Sequence, residues 1–140
     1  MKGRQLSLDD YSSIIRSCLE AWNKADAELV ASYCSDNLEY RDPTVPQGIF
    51  NKSDFIKYLQ LVFSVWPEQK WVVKNIFPHD KEGSFSVDYD FRIANKTTSI
   101  QGCGMDRVEF TKDKVRLNHV YLNAEKWKEW IKYELKGGKT

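Results

Sequence analysis

The chain has 140 residues, with 21 Lys+Arg against 20 Asp+Glu and a net charge of +1. That length sets one domain with one real core as the expectation. The near-neutral balance gives no electrostatic reason for a nucleic acid or an acidic membrane as partner. No segment approaches the about 18 apolar residues of a helical membrane span. Cys18, Cys34 and Cys103 are widely spaced, without a Cys-x-x-Cys pair or a histidine at ligand spacing, so no metal site is expected. Their odd number suits a reducing compartment, which makes a cytoplasmic protein the expectation. Five Trp, seven Tyr and seven Phe are many for this length and suit a chain that lines a cavity or an interface as well as a core.

In chain order, Ser7–Asn23 is predicted to be a helix. Ser7 stands as N-cap with Asp10 three positions on, and Tyr11, Ile14, Ile15, Cys18, Leu19 and Trp22 recur at helical offsets. A short second helix follows Asp26 and carries Leu29, Val30 and Tyr33. Asn37–Asp42 reads as a strand stopped by Pro43, and Pro43–Gly48 as a loop. A third helix, Lys52–Val65, is capped by Asn51 or Ser53. It presents Phe55, Tyr58, Leu59, Val62, Phe63 and Trp66 on one face and ends at Pro67.

The period then changes to two. Strands are predicted over Trp71–Phe77, Ser84–Ala94, Thr97–Phe110 and Val115–Leu122, joined by short turns as an antiparallel meander. In Ser84–Ala94 the apolar side carries Phe85, Val87, Tyr89, Phe91 and Ile93. Asp88, Asp90 and Arg92 form the opposite, solvated stripe. Ala124–Leu135 is amphipathic, and Gly137-Gly138-Lys139-Thr140 is a polar tail. The class is therefore α+β, a curved sheet covered by three helices.

Two carboxylates interrupt strand contexts whose neighbours read as core, Asp42 and Asp106. A carboxylate on a buried face is costly unless paired, and such acids are the raw material of acid–base chemistry. Asp42 is also a common turn residue before Pro43. Gly102, Gly104, Asp106, Val108 and Phe110 share one face. The two glycines are expected to leave open volume for a ligand beside the acid, or else to mark a bend in the strand.

Several segments in order carry a resemblance. They are Ala21-Trp22-Asn23-Lys24-Ala25-Asp26, Tyr40-Arg41-Asp42-Pro43, Gly48, Gly102-x-Gly104-x-Asp106-x-x-Glu109-Phe110 and Val120-Tyr121-Leu122-Asn123. The chain thereby resembles the nuclear transport factor 2-like superfamily, near the SnoaL-like polyketide cyclases and ketosteroid isomerases. The resemblance implies a cone-shaped cystatin-like fold over residues 1–125, a deep apolar pocket and a homodimer, with 126–140 as an added helix and tail. It implies catalysis by Asp42 as the base and Asp106 as the acid or oxyanion donor. Pocket walls are expected from Cys18, Trp22, Tyr40, Phe55, Leu59, Asn118, Val120 and Leu122, and His119 is expected to point away.

Cys18 stands in the register of the isomerases' tyrosine donor. A thiol donates weakly, and loss of one oxyanion donor costs on the order of a hundredfold in rate. Tyr11 and Trp22 share its face and are candidate substitutes. The function implied is cofactor-independent acid–base chemistry on a small apolar or aromatic carbonyl compound: isomerisation, ring closure or dehydration. A non-catalytic ligand-binding or dimerisation module is the alternative. Epoxide hydrolysis is a third reading and needs an Asp/Arg/Asn cluster to which Arg41 and Asn118 contribute.

Overall fold

The Ser7 hydroxyl accepts from the Asp10 N–H while the Asp10 carboxylate accepts from the Ser7 N–H, a capping box that starts helix α1 (Leu8–Asn23). Ala25, at φ 51, turns the chain, and Asp26 caps α2 (Ala27–Ser32) by accepting from the Leu29 N–H. Asn51, rather than Ser53, caps α3 (Lys52–Val65), accepting from the Asp54 N–H. The computed structural model describes residues 5–123. The helix expected over Ala124–Leu135, and the division at residue 126, lie outside the described residues.

Strand β1 (Cys34–Arg41) starts earlier than the expected Asn37 and stops short of Asp42. Ser35, Asp36 and Asn37 have no apolar alternation to reveal a strand. The strand begins where Cys34 pairs with Val115 and the Val115 N–H donates to the Tyr33 carbonyl, and the register then shifts before Glu39. Strand β2 (Glu68–Pro78) outruns the expected Trp71–Phe77 because it ladders fully on β3 (Ser84–Ala94), from Glu68 opposite Ala94 to Pro78 opposite Phe85. Strand β4 (Ser99–Thr111) begins after Thr97. The Asn95 side chain accepts from the Thr97 and Thr98 N–H groups and holds those residues in a turn. A turn through Lys112, at φ 56, leads into β5 (Lys114–Asn123).

The sheet order is β1-β5-β4-β3-β2. The last four strands form the expected antiparallel meander, while β1 joins β5 in parallel and brings Tyr40 beside Asn118. Bulges between Val73 and Asn75 and between Glu109 and Phe110 add local bend and twist. The helices cover the concave face, where Tyr40, Phe55, Leu59, Phe85 and Tyr89 are among the fully buried side chains. Leu38, Ile100 and Val87 complete that seal. This is the α+β cystatin-like architecture expected from the sequence. Among the described residues, no helix is long and apolar enough to cross a membrane.

On the other face of the sheet, the imidazole of His119 lies 2.7 Å from the Glu39 carboxylate. Glu109 gathers Lys81, Arg107 and Arg116 within 3.0 Å. Those contacts, led by the hydrogen bond from Lys81, pull its carboxyl down to about 2. Both clusters keep their charge away from the concave face.

Candidate active site

Asp42 sits where the chain leaves β1 for the loop before α3, and the local backbone fixes its side chain. Its Oδ1 accepts from the Thr44 N–H at 2.7 Å, the Thr44 hydroxyl at 2.6 Å and the Val45 N–H at 3.2 Å. Aspartate makes such loop closures readily. Oδ2 accepts from the Tyr40 hydroxyl at 2.7 Å and from the Tyr58 hydroxyl of α3. The turn role and the pocket role of Asp42 are thus the same geometry. Five donors on two oxygens match a carboxylate acting purely as acceptor. Burial, then the Asp42 charge, pushes the Tyr40 and Tyr58 phenols well above their ordinary range, so both keep their protons and donate.

Asp106 projects inward from β4, opposite Val87 of β3 and Val120 of β5. It is 8% exposed. Tyr89 donates to its Oδ1 at 2.6 Å and the Asn118 amide to its Oδ2 at 2.9 Å. Burial raises its carboxyl from 3.8 to about 6, against the lowering effect of those two hydrogen bonds and with a further push from the Asp42 charge. Burial also raises the Tyr89 phenol, helped by the Asp106 charge, and makes it a fixed donor.

Both acids face one cavity of about 360 Å³. Its walls are aromatic, with Trp22, Tyr40, Tyr58, Trp71, Tyr89 and Phe91 among them. Leu61 and Val65 line it and are exposed, which places the mouth along α3. That volume and the few convergent polar groups are typical of a small-molecule site. Among the described residues, no three His, Cys, Asp or Glu side chains gather to hold a metal ion.

Of the residues named from the sequence, Asp42, Asp106, Trp22, Tyr40, Asn118, Val120 and Leu122 all line this cavity. Phe55 and Leu59 do not. At 1% and 0% exposed they lie in the core, with the Phe55 ring 4.7 Å from that of Tyr40. On α3 the cavity instead meets Tyr58, Leu61, Val62 and Val65. Cys18 is half-buried and outside the lining, where α1 contributes Leu19 and Trp22. Burial raises its thiol well above its ordinary value, with smaller pushes from Cys34 and the Asp106 charge, so it stays protonated.

Tyr11 is no substitute donor, since its ring packs on Phe85 and Phe110 at 5.2 and 4.9 Å and stands outside the cavity. Arg41 also turns away. Its guanidinium donates to the Pro46 carbonyl at 2.6 Å and covers the Phe50 ring. It therefore forms no Asp/Arg/Asn cluster with Asn118.

Gly104 does not leave open volume. A Cβ there would stand 2.9 Å from Leu122 Cδ2, the Tyr121 carbonyl oxygen and Tyr89 Cε1. Tyr89 lies directly across the ladder from Gly104, and the missing side chain lets its ring lie over the strand and reach Asp106. Tyr58 and Tyr89 are donors to the two acids, a role the sequence alone does not mark. The one clue to it is a tyrosine, rather than a phenylalanine, on each apolar stripe, because a buried phenol needs a partner.

A SnoaL-like domain model matches residues 15–118. No curated protein matches the chain by sequence. Among solved structures, a candidate polyketide cyclase from Xanthomonas campestris pv. campestris is similar, with a TM-score of 0.72 at 12% identity over 89% of this chain and 96% of that one. TerC, crystallised with polyporic acid, gives 0.72 at 11% identity over 88% and 98%. An LEH-like epoxide hydrolase from M. tuberculosis gives 0.70 at 12% identity over 82% and 84%. At these identities the structural likeness speaks for the fold, and with the domain match it settles the family: the chain belongs to the SnoaL-like domain family.

Proposed function

We propose that this chain is a cofactor-independent acid–base enzyme that moves a proton within a small, largely apolar carbonyl compound held in the cavity, with Asp106 as the proton carrier. The observation that carries this reading is the placement of Asp106: buried in an aromatic cavity, held by Tyr89 and Asn118, and pushed up to about 6. A carrier works best when its pKa lies near the working pH. Asp42, which the family resemblance casts as the base, is enclosed by five donors and is better suited to fixing Tyr40 and Tyr58 in place.

In the forward step the Asp106 carboxylate takes a proton from the carbon next to the carbonyl, and the C–H electron pair passes to the carbonyl oxygen. The Asn118 amide has a second N–H beyond the one given to Asp106, and we assign it to that oxygen. The neutral Asp106 acid then returns the proton to another carbon, which completes an isomerisation. With a second carbonyl in the molecule, the enolate carbon attacks it and closes a ring, and the alkoxide so formed takes the proton back from Asp106. Assembly as a homodimer and a cytoplasmic location belong to this proposal. Three free cysteines support the second, and Met105 paired with Tyr121 on the exposed sheet face supports the first.

The test is solvent deuterium exchange at the α-carbon of a panel of aromatic ketones, followed by mass. The expected result is exchange above background that falls as pH drops through about 6, because protonated Asp106 cannot accept a proton. No exchange with any ketone, with ligand binding intact, would instead favour a non-catalytic binding module.

A further inference from the structure

We infer that the ligand of this cavity carries a positive charge, a protonated nitrogen attached to an aromatic or otherwise apolar frame. The inference rests on the cavity being the ligand site, as in the reading above, and deepens it by naming the substrate class. Two carboxylates, Asp42 and Asp106, face the same space, and among the described residues no Lys, Arg or His lines it. Arg41, next to Asp42 in the chain, is turned onto Phe50 and Pro46. His119 lies against Glu39 on the other face of the sheet.

The hydroxyl donors that line the cavity are already committed, which leaves an oxyanion the second Asn118 N–H assigned above. Tyr40 and Tyr58 give their protons to Asp42, and Tyr89 gives its proton to Asp106. Gln69 donates to the Trp66 carbonyl, and its own carbonyl accepts from the Trp71 indole. What a cationic ligand meets is therefore the Asp106 carboxylate, with one donor on each oxygen and acceptor capacity to spare, the charge of Asp42 behind its five donors, and ring faces. Trp22, Trp71, Tyr89 and Phe91 supply π faces, which attract cations. Asp42 and Asp106 supply charge in a site shielded from water, where attraction is stronger than in bulk solvent.

The requirement holds through the proton-transfer step. Proton transfer leaves the negative charge of the cavity unchanged: two carboxylates before it, and the Asp42 carboxylate with the substrate oxyanion after it. No protein cation among the described lining residues offsets that pair. A positive nitrogen on the substrate would offset the pair both before and after the step.

The experiment is calorimetric titration of the full chain at pH 8 with three ligands of one shape: naphthylmethylammonium, naphthylmethanol and naphthoate. The ammonium is expected to bind one per chain and about tenfold or more tighter than the alcohol, with naphthoate weakest. Asp106→Asn should shrink the preference for the ammonium and leave the affinity for the alcohol little changed. Alcohol binding as tightly as the ammonium, or an ammonium preference untouched by Asp106→Asn, overturns the inference while leaving the proton-transfer reading intact. Conversely, ammonium selectivity without α-carbon exchange overturns that reading and leaves this one.

Discussion

Asp106→Asn is expected to abolish most proton transfer and, at the same time, to stabilise the fold at neutral pH. The loss of rate should be about a hundredfold or more, the usual contribution of a positioned base. The amide is the same shape, its oxygen can still accept from Tyr89, and Asn118 can rotate to present its carbonyl instead of its N–H groups. The gain in stability follows from the raised carboxyl. In the unfolded chain Asp106 titrates near 3.8, and in the folded cavity near 6. Below the lower value it is protonated in both states and costs nothing. Above the upper value it is ionised in both states, and the folded state bears the burial penalty. That penalty builds as pH rises from 3.8 to about 6 and reaches on the order of 3 kcal/mol.

The variant lacks this penalty. Its thermal midpoint relative to wild type should therefore climb between pH 4 and pH 8, by several degrees after allowance for a less perfect contact with Asn118. Unfolding curves at the two pH values check it. A variant that is inactive but shows no pH-dependent gain would mean that Asp106 is not held in an unfavourable ionised state. The trade is a familiar one: a group strained for chemistry is a cost to the fold.

Asp42→Ala should do the opposite and destabilise strongly. Five donors converge on this carboxylate, three of them the side-chain hydroxyls of Tyr40, Tyr58 and Thr44, of which the last two also reach each other at 2.9 Å. Tyr40 is 2% exposed, so water cannot replace the lost acceptor without entering the core. Stranding the buried Tyr40 hydroxyl costs about 1–3 kcal/mol, and the part-exposed Tyr58 and Thr44 hydroxyls lose less. The loop from Pro43 to Gly48 also loses the Thr44 and Val45 N–H contacts that start it. A combined loss of about 3–5 kcal/mol is expected, or roughly 10 °C in midpoint for a chain of this size. Asp42→Asn should fall between the two, since one amide oxygen can serve some of the donors. Thermal unfolding with far-ultraviolet dichroism reads all three, and Asp42→Ala equal to wild type would remove the organising role assigned to this residue.

The fold was legible because its signals are local. The Ser7–Asp10 capping box, the Asp26 cap and the alternation in Ser84–Ala94 are each written within a few residues. The two acids were legible for a related reason, since a charge in a core-like strand stands out against its neighbours. The family resemblance, rather than the strand's own pattern, implied Asn118, Val120 and Leu122 as walls and His119 turned away; the first three line the cavity and His119 lies against Glu39.

The rest depended on contacts across the fold. An apolar stripe on α3 says which residues point inward, but not where packing stops and the void begins. Phe55 and Leu59 therefore went to the core and Tyr58 to the cavity. Gly104 reads as open space until Tyr89, across the ladder, is seen to fill it. The donor to the oxyanion was sought on α1 at Cys18, whereas the phenols that reach the acids come from β1, α3 and β3. Arg41 adjoins Asp42 in the chain, yet Arg41 ends β1 turned onto Pro46 and Phe50 while Asp42 faces the cavity.

The most direct test of Asp106 as the proton carrier is a carboxyl-carbon NMR titration, with its resonance assigned by its loss in Asp106→Asn. The account predicts a midpoint near 6, moving down in Asp42→Asn as the neighbouring charge is removed and up in Tyr89→Phe as a stabilising donor is lost. A midpoint near 3.8, indifferent to both substitutions, would contradict it.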